Sequence, residues 1–130
     1  MKRVKRTAVI VIPKQPYINW ANSVDDGHVK FGDNPTPEHT IYLVEDITDY
    51  VVDTVEIIKS HFEFIFKEEL NSWHRLESDW PLNRDLEIFL ECFEIQIHSM
   101  VLYLPRGRLK TERYAPLTDH LPIMYTLTAI

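Results

Sequence analysis

Apolar positions along this chain follow two different periods, and the points where the period changes divide it into elements. Ala8-Val9-Ile10-Val11-Ile12 is an unbroken apolar run rich in β-branched residues, which suits a strand buried on both faces. The first strand is therefore expected over residues 7–12, stopped by Pro13 and Pro16. Pro16 fits the first turn of a short helix over residues 17–22, because its missing N–H has no helical partner there, and Trp20 anchors that helix. Residues 25–39 hold two glycines, two prolines and little periodicity. They predict a long surface loop, with Asn34-Pro35-Thr36-Pro37 extended. Thr40-Ile41-Tyr42-Leu43-Val44 predicts a second strand.

The period then becomes helical. Val51, Val55, Ile58, Phe62 and Ile65 recur at spacings of three and four, and Val52, Phe66 and Leu70 widen the stripe. This predicts an amphipathic helix over residues 48–72, with Thr48 as N-cap and Ile47 and Val52 as the staple around it. Glu63 and Lys67 form a favourable pair on its wet face. At 1.5 Å per residue the rod is roughly 36 Å long, enough to cross a small sheet. A connector over residues 73–83 carries Trp73, His74, Arg75, Trp80 and Pro81. Asn83 then caps a second helix over residues 83–93, buried through Leu86, Phe89, Leu90 and Phe93. From Glu94 the period is two. Ile95, Ile97, Ser99, Val101 and Tyr103 share one face, and Glu94, Gln96, His98, Met100 and Leu102 share the other. This reads as one long third strand ending at Pro105, followed by a turn at Arg106-Gly107 and a fourth strand over residues 123–127.

Two amphipathic helices need one shared apolar surface. The expected class is therefore α+β, a mostly antiparallel sheet of three to four strands with two main helices packed on one face. A three-layer sandwich is the alternative. A length of 130 residues, 45% of them hydrophobic, fits a single domain over residues 1–130 with its own core. Residues 105–130 read as a C-terminal extension whose apolar part, residues 121–130, suits packing on a partner and so a homodimer.

Charge and cysteine content narrow the function. The net charge is −6, and Lys2, Arg3, Lys5 and Arg6 supply four of the fourteen basic residues. The rest of the chain is acidic by two to one, which repels phosphate backbones and disfavours nucleic acid as a partner. The basic start and the apolar run after it imitate a signal peptide, but Pro13 ends the run too early, and no segment has the length of a membrane span. One cysteine, Cys92, allows no intramolecular disulfide. It suits a reducing compartment, and the expected location is the cytoplasm.

Candidate chemistry is sparse. No G-x-G-x-x-G, P-loop, G-x-S-x-G, H-E-x-x-H or EF-hand pattern occurs, and three glycines are few for a phosphate cradle. His98 and Ser99 are adjacent on a strand, so they point to opposite faces and cannot act as base and nucleophile. Glu94, Gln96 and His98 project from one face at successive pleats, either as the wet side of a two-layer sheet or as a polar site. His74 and Glu77 share a helical spacing, while Trp73, His74, Trp80 and Arg84 either plug the gap between helices and sheet or line a pocket, with the guanidinium stacked on indole. Asp25, Asp26, His28, Asp33, Glu38 and His39 crowd the first loop; they read as turn residues, with a divalent cation as the alternative.

Trp80-Pro81-x-x-Arg84, followed by Phe89, Phe93, Ile97 and His98-Ser99-Met100-Val101, resembles the pattern of a group of small bacterial proteins of no assigned function, as does Pro13-Lys14-Gln15-Pro16 with Trp20. The resemblance covers residues 8–104 and implies a bacterial cytoplasmic protein without supplying an activity. Where that pattern has an aromatic and an acid, this chain has Cys92 and Tyr103, so no acidic site at residue 103 carries over.

The expected function is a non-catalytic binding or interaction protein, with no cofactor or resident metal. The alternative is an enzyme or ligand binder built on His98 as base or ligand, with Glu94 or His74 assisting. Gln96, Trp73, Trp80 and Arg84 would then line its pocket. That alternative requires one cavity joining the His98 face to the connector.

Overall fold

A computed structural model describes residues 1–24, 38–105 and 107–114. Its elements in chain order are β1 (Lys2–Arg3), β2 (Thr7–Pro13), α1 (Gln15–Val24), β3 (Thr40–Val44), α2 (Tyr50–Trp73), a single 3-10 turn (Glu77–Asp79), α3 (Leu86–Cys92), β4 (Phe93–His98) and β5 (Leu102–Tyr103). The class is α+β, as the patterning requires. β2 is the centre of a three-stranded antiparallel sheet in the order β3-β2-β4, and β1 pairs with β5 in a second, two-stranded ladder.

Register sorts the side chains. Val9 lies between Tyr42 and Ile97, and Val11 between Thr40 and Ile95. These positions face the helices. Val9, Val11 and Phe93 join Tyr17 and Ala21 of α1, Ile57, Ile65, Phe66 and Leu70 of α2, and Phe89 and Cys92 of α3 in one buried cluster. Phe66, Phe89 and Phe93 meet with ring centroids 5.3–5.8 Å apart, and Tyr17 sits 4.8 Å from Phe93. Such tilted contacts add to the burial energy. Burial pushes the Cys92 thiol up to about 11, with Glu91 adding to the shift, so it stays protonated.

Four expectations change. First, β2 is fully buried along its helix face, whereas on the other face Ala8 is buried but Ile10 and Ile12 are only half-buried, beside the exposed Ile41 and Leu43 of β3. Second, the buried stripe of α2 starts at Ile57, and Val51, Val52 and Val55 are exposed, because the first two turns precede the packed part of the helix. Third, the caps move to carboxylates. Asp49, not Thr48, accepts from the Val51 and Val52 amides, and Asp53 accepts from the Thr48 and Asp49 amides. Asp85, not Asn83, caps α3 through the Ile88 amide. An ionised acceptor makes the stronger bond and complements the positive end of the helix.

Fourth, the single long strand from Glu94 is two strands. Between the Ala8–His98 pair and the Arg3–Leu102 pair, residues 4–7 stand opposite residues 99–101, one residue more on the N-terminal side. That is a bulge, and it breaks the ladder. Arg3 clamps the break, donating to the Ser99 carbonyl at 2.9 Å and to both oxygens of Asp46 at 3.0 and 2.6 Å. Gly107 takes φ +78°, a left-handed conformation that suits the expected turn. The fourth strand over residues 123–127, the apolar segment 121–130 assigned to a partner, and Asp25, Asp26, His28 and Asp33 of the acidic loop lie outside the described residues. No described helix is long and apolar enough to cross a membrane.

Candidate functional site

The buried stripe of α2 contains one carboxylate. Glu69 follows Ile65 by four residues and Phe66 by three, so helical geometry carries it onto the same face, next to Leu70. It is 7% exposed. Across from it, alternation along β3 turns Thr40, Tyr42 and Val44 toward the helices while Ile41 and Leu43 point away. Glu69 and Tyr42 therefore meet at the seam between α2 and β3.

The meeting is a tight network. The Tyr42 hydroxyl donates to Glu69 Oε2 at 2.7 Å, and the Thr40 side chain also hydrogen-bonds this carboxylate. The Tyr17 hydroxyl, from α1, donates to the Glu69 carbonyl at 2.7 Å, and Ser72 Oγ donates to the same carbonyl at 2.9 Å. Burial raises the Glu69 carboxyl above the ordinary glutamate range and Glu68 adds to this, while the bonds from Tyr42 and Thr40 oppose it. Burial, then the neighbouring Glu69, pushes the Tyr17 and Tyr42 hydroxyls upward as well, so both remain protonated donors. No basic side chain among the described residues pairs with Glu69.

Two cavities adjoin at this carboxylate. The larger, ≈ 540 Å³, is walled by Tyr42 and Ile41 of β3 and by Phe64, Glu68 and Glu69 of α2. The smaller, ≈ 260 Å³, runs inward past Glu69 to Tyr17, Pro13 and Trp73. Glu38 and Tyr114 border both. Neither Glu69 nor Tyr42 stands out in the sequence as a site residue. The signal that marks Glu69 is a carboxylate inside the apolar stripe, at i+4 from Ile65 and i−4 from Trp73.

The residues that sequence patterning singles out lie elsewhere. Glu94, Gln96 and His98 are exposed on the outer face of β4, where Gln96 Nε2 donates to Glu94 at 3.1 Å. Their neighbours Phe93, Ile95 and Ile97 face the core, so the sheet separates this row from the connector. In the connector the polar groups are turned inward. Trp73 Nε1 donates to the Ala21 carbonyl at 2.9 Å, Trp80 Nε1 to the His74 carbonyl at 2.7 Å, and Trp20 Nε1 to the Asp79 carbonyl at 2.9 Å. His74 Nε2 meets Asp79 at 2.8 Å. Arg84 donates to the Pro81 carbonyl at 2.7 Å and stacks 5.6 Å from the centroid of the Trp80 ring, as expected of guanidinium over indole. The connector is thus a plug that fastens the C-terminal end of α2 to α1. Of the residues expected to bind a ligand, Trp73 reaches the Glu69 cavities and Gln96, Trp80 and Arg84 do not. A shallow ≈ 220 Å³ recess does touch Arg84, beside Glu63 and Lys67. Among the described residues no group of three or more His, Cys, Asp or Glu side chains is placed to hold a metal ion.

No protein-family model, curated protein or solved structure matches the chain.

Proposed function

We propose that this protein is a non-catalytic binding protein whose small ligand occupies the cavity at the α2–β3 seam. One observation carries the reading. A carboxylate 7% exposed stands where two cavities adjoin, without a basic partner among the described residues. Burying an ionisable group without a counter-charge costs stability, and a fold keeps such a group most readily where a ligand completes it. A volume of ≈ 540 Å³ falls within the range that encloses small molecules.

Binding is favoured over turnover by how the polar groups are committed. The Tyr42 hydroxyl is pushed upward and stays protonated on Glu69, a carboxylate too weak a base to remove its proton, and the Ser72 hydroxyl is held on a carbonyl of its own helix, so neither is activated as a nucleophile. The buried, protonated Cys92 thiol supports the reducing compartment expected from a lone cysteine.

Amide NMR with fragment mixtures, one neutral, one anionic and one cationic, tests the assignment. Shifts should concentrate at Tyr42, Phe64, Glu69 and Ser72. Shifts confined to residues 94–98 would move the site to the outer sheet face, and no shift at the seam from any mixture would remove the reading.

A further inference from the structure

We infer that the ligand of this pocket is a small primary amine, bound as its ammonium with an apolar body against the aromatic wall. The inference rests on the seam cavity being the binding site and adds the chemical class of the occupant.

Charge gives the first reason. Glu38, Glu68 and Glu69 border the larger cavity, and among the described residues no lysine or arginine lines either chamber. An anionic ligand would meet three carboxylates in a partly closed space, whereas a cation supplies a counter-charge that none of the described residues gives Glu69.

Hydrogen-bond polarity gives the second. The single proton of the Tyr42 hydroxyl is already donated to Glu69, and that of Ser72 to the Glu69 carbonyl. Each oxygen therefore has only acceptor capacity left for a ligand, as do the carboxylates. Apart from a ring N–H of His39 at the border, the described polar side chains of this wall offer acceptors, which selects a ligand with several N–H groups. A primary ammonium has three donors and no acceptor. A quaternary ammonium has no donor and leaves those acceptors unmet.

The third reason is the rest of the wall. Phe64, Tyr42 and Tyr114 present aromatic surface. Phe64 is 65% exposed, unusual for its size. Aromatic faces attract cations and bury an apolar chain equally well.

The titratable groups around Glu69 come from every adjoining element: Glu68 on α2, Tyr42 on β3, Tyr17 on α1, Glu38 and His39 before β3, and Tyr114. The Tyr17 and Tyr42 hydroxyls are pushed upward and stay protonated, so within this network acidification acts on the Glu69 carboxylate. Binding of the ammonium should therefore weaken as pH falls through the raised Glu69 value.

Calorimetric titration with phenethylamine and phenethyl alcohol, which share a skeleton and differ in the charged donor group, tests the class. The amine should bind at least about tenfold more tightly at neutral pH, the factor expected when charge-assisted bonds to a carboxylate are lost. Glu69→Gln should remove that advantage, weakening the amine far more than the alcohol. Glu68→Gln, on a less buried neighbour, should weaken the amine about two- to threefold. If the alcohol, or phenylacetate, binds as tightly as the amine with shifts at Tyr42 and Phe64, the amine class falls and the binding site stands. If none of the three probes binds and no fragment shifts the seam amides, both fall together.

Discussion

The connector over residues 73–84 and the seam at Glu69 hold similar inventories of aromatic rings and ionisable groups, but use them differently. In the connector each tryptophan N–H reaches a carbonyl, His74 meets Asp79, and Arg84 lies between Pro81 and the Trp80 ring. At the seam a buried carboxylate takes bonds from Tyr42 and Thr40 but has no counter-charge among the described residues, and cavities lie against it. Chemistry-bearing residue types do not by themselves make a site. Unused bonding capacity beside open volume does.

The comparison breaks most sharply at Trp80. As a plug, its 9%-exposed indole should be worth about 3–5 kcal/mol when truncated, the range for large aromatics cut to alanine in a core. Trp80→Ala is expected to lose that much in urea unfolding, while the folded fraction keeps its seam NMR shifts with the cationic fragments. A small stability loss with binding abolished would make the connector part of the site.

The fold was largely legible because burial imposes periods that a sequence displays. Thr40–Val44, the Ile65, Phe66 and Leu70 stripe of α2, and the alternation from Glu94 to His98 all reflect it. The details that moved depend on single bonds rather than on period. Asp49 outcompetes Thr48 as a cap because a carboxylate binds amides more strongly. The break after His98 depends on one extra residue in the partner strand, far away in the chain, and on the Arg3 clamp. The site was hidden for a similar reason. Glu69 is one residue among the twenty acidic ones, and only the approach of β3, 27 residues away in sequence, puts Tyr42 on it. Trp73, His74 and Trp80 looked like site residues because their polar tips were visible and their carbonyl partners were not.

Glu69 gives a smaller effect of opposite sign. Its native carboxyl lies above the ordinary value of 4.5, so the native state binds its proton more tightly than the unfolded chain does. The group's favourable contribution is fully present below the unfolded value and is lost as pH rises through the raised native one. Above that raised value the ionised, buried form is a net cost. Glu69→Gln keeps an acceptor for Tyr42 and removes that charge, so the variant should be more stable by about 0.5–2 kcal/mol near pH 7, as replacements at functional sites often are. The gain should shrink as pH falls from the raised value toward 4.5. Paired urea titrations across that window measure it, and the difference cancels the separate acid losses at Asp46 and Asp53, whose bonds hold them below the usual range. A variant less stable at every pH would show that the carboxylate is structural, and the contrast with the connector would weaken.

The smallest effect belongs to His74 and Asp79. Their contact is 2.8 Å, but the side chains are 27% and 46% exposed, so solvent screens the pair. A double-mutant cycle with His74→Ala and Asp79→Ala should return a coupling of about 0.2–1 kcal/mol, the range for exposed pairs. The Trp20 and Trp80 anchors bond to the backbone carbonyls of Asp79 and His74, and truncating either side chain leaves those carbonyls in place. Seam binding should be unchanged in each variant. A small coupling with intact binding is what a fastening predicts, whereas a catalytic or ligand-bearing His74 would show the reverse pattern, little change in stability and a large change in binding. The reverse pattern would restore the connector as a site and erase the difference between the two regions.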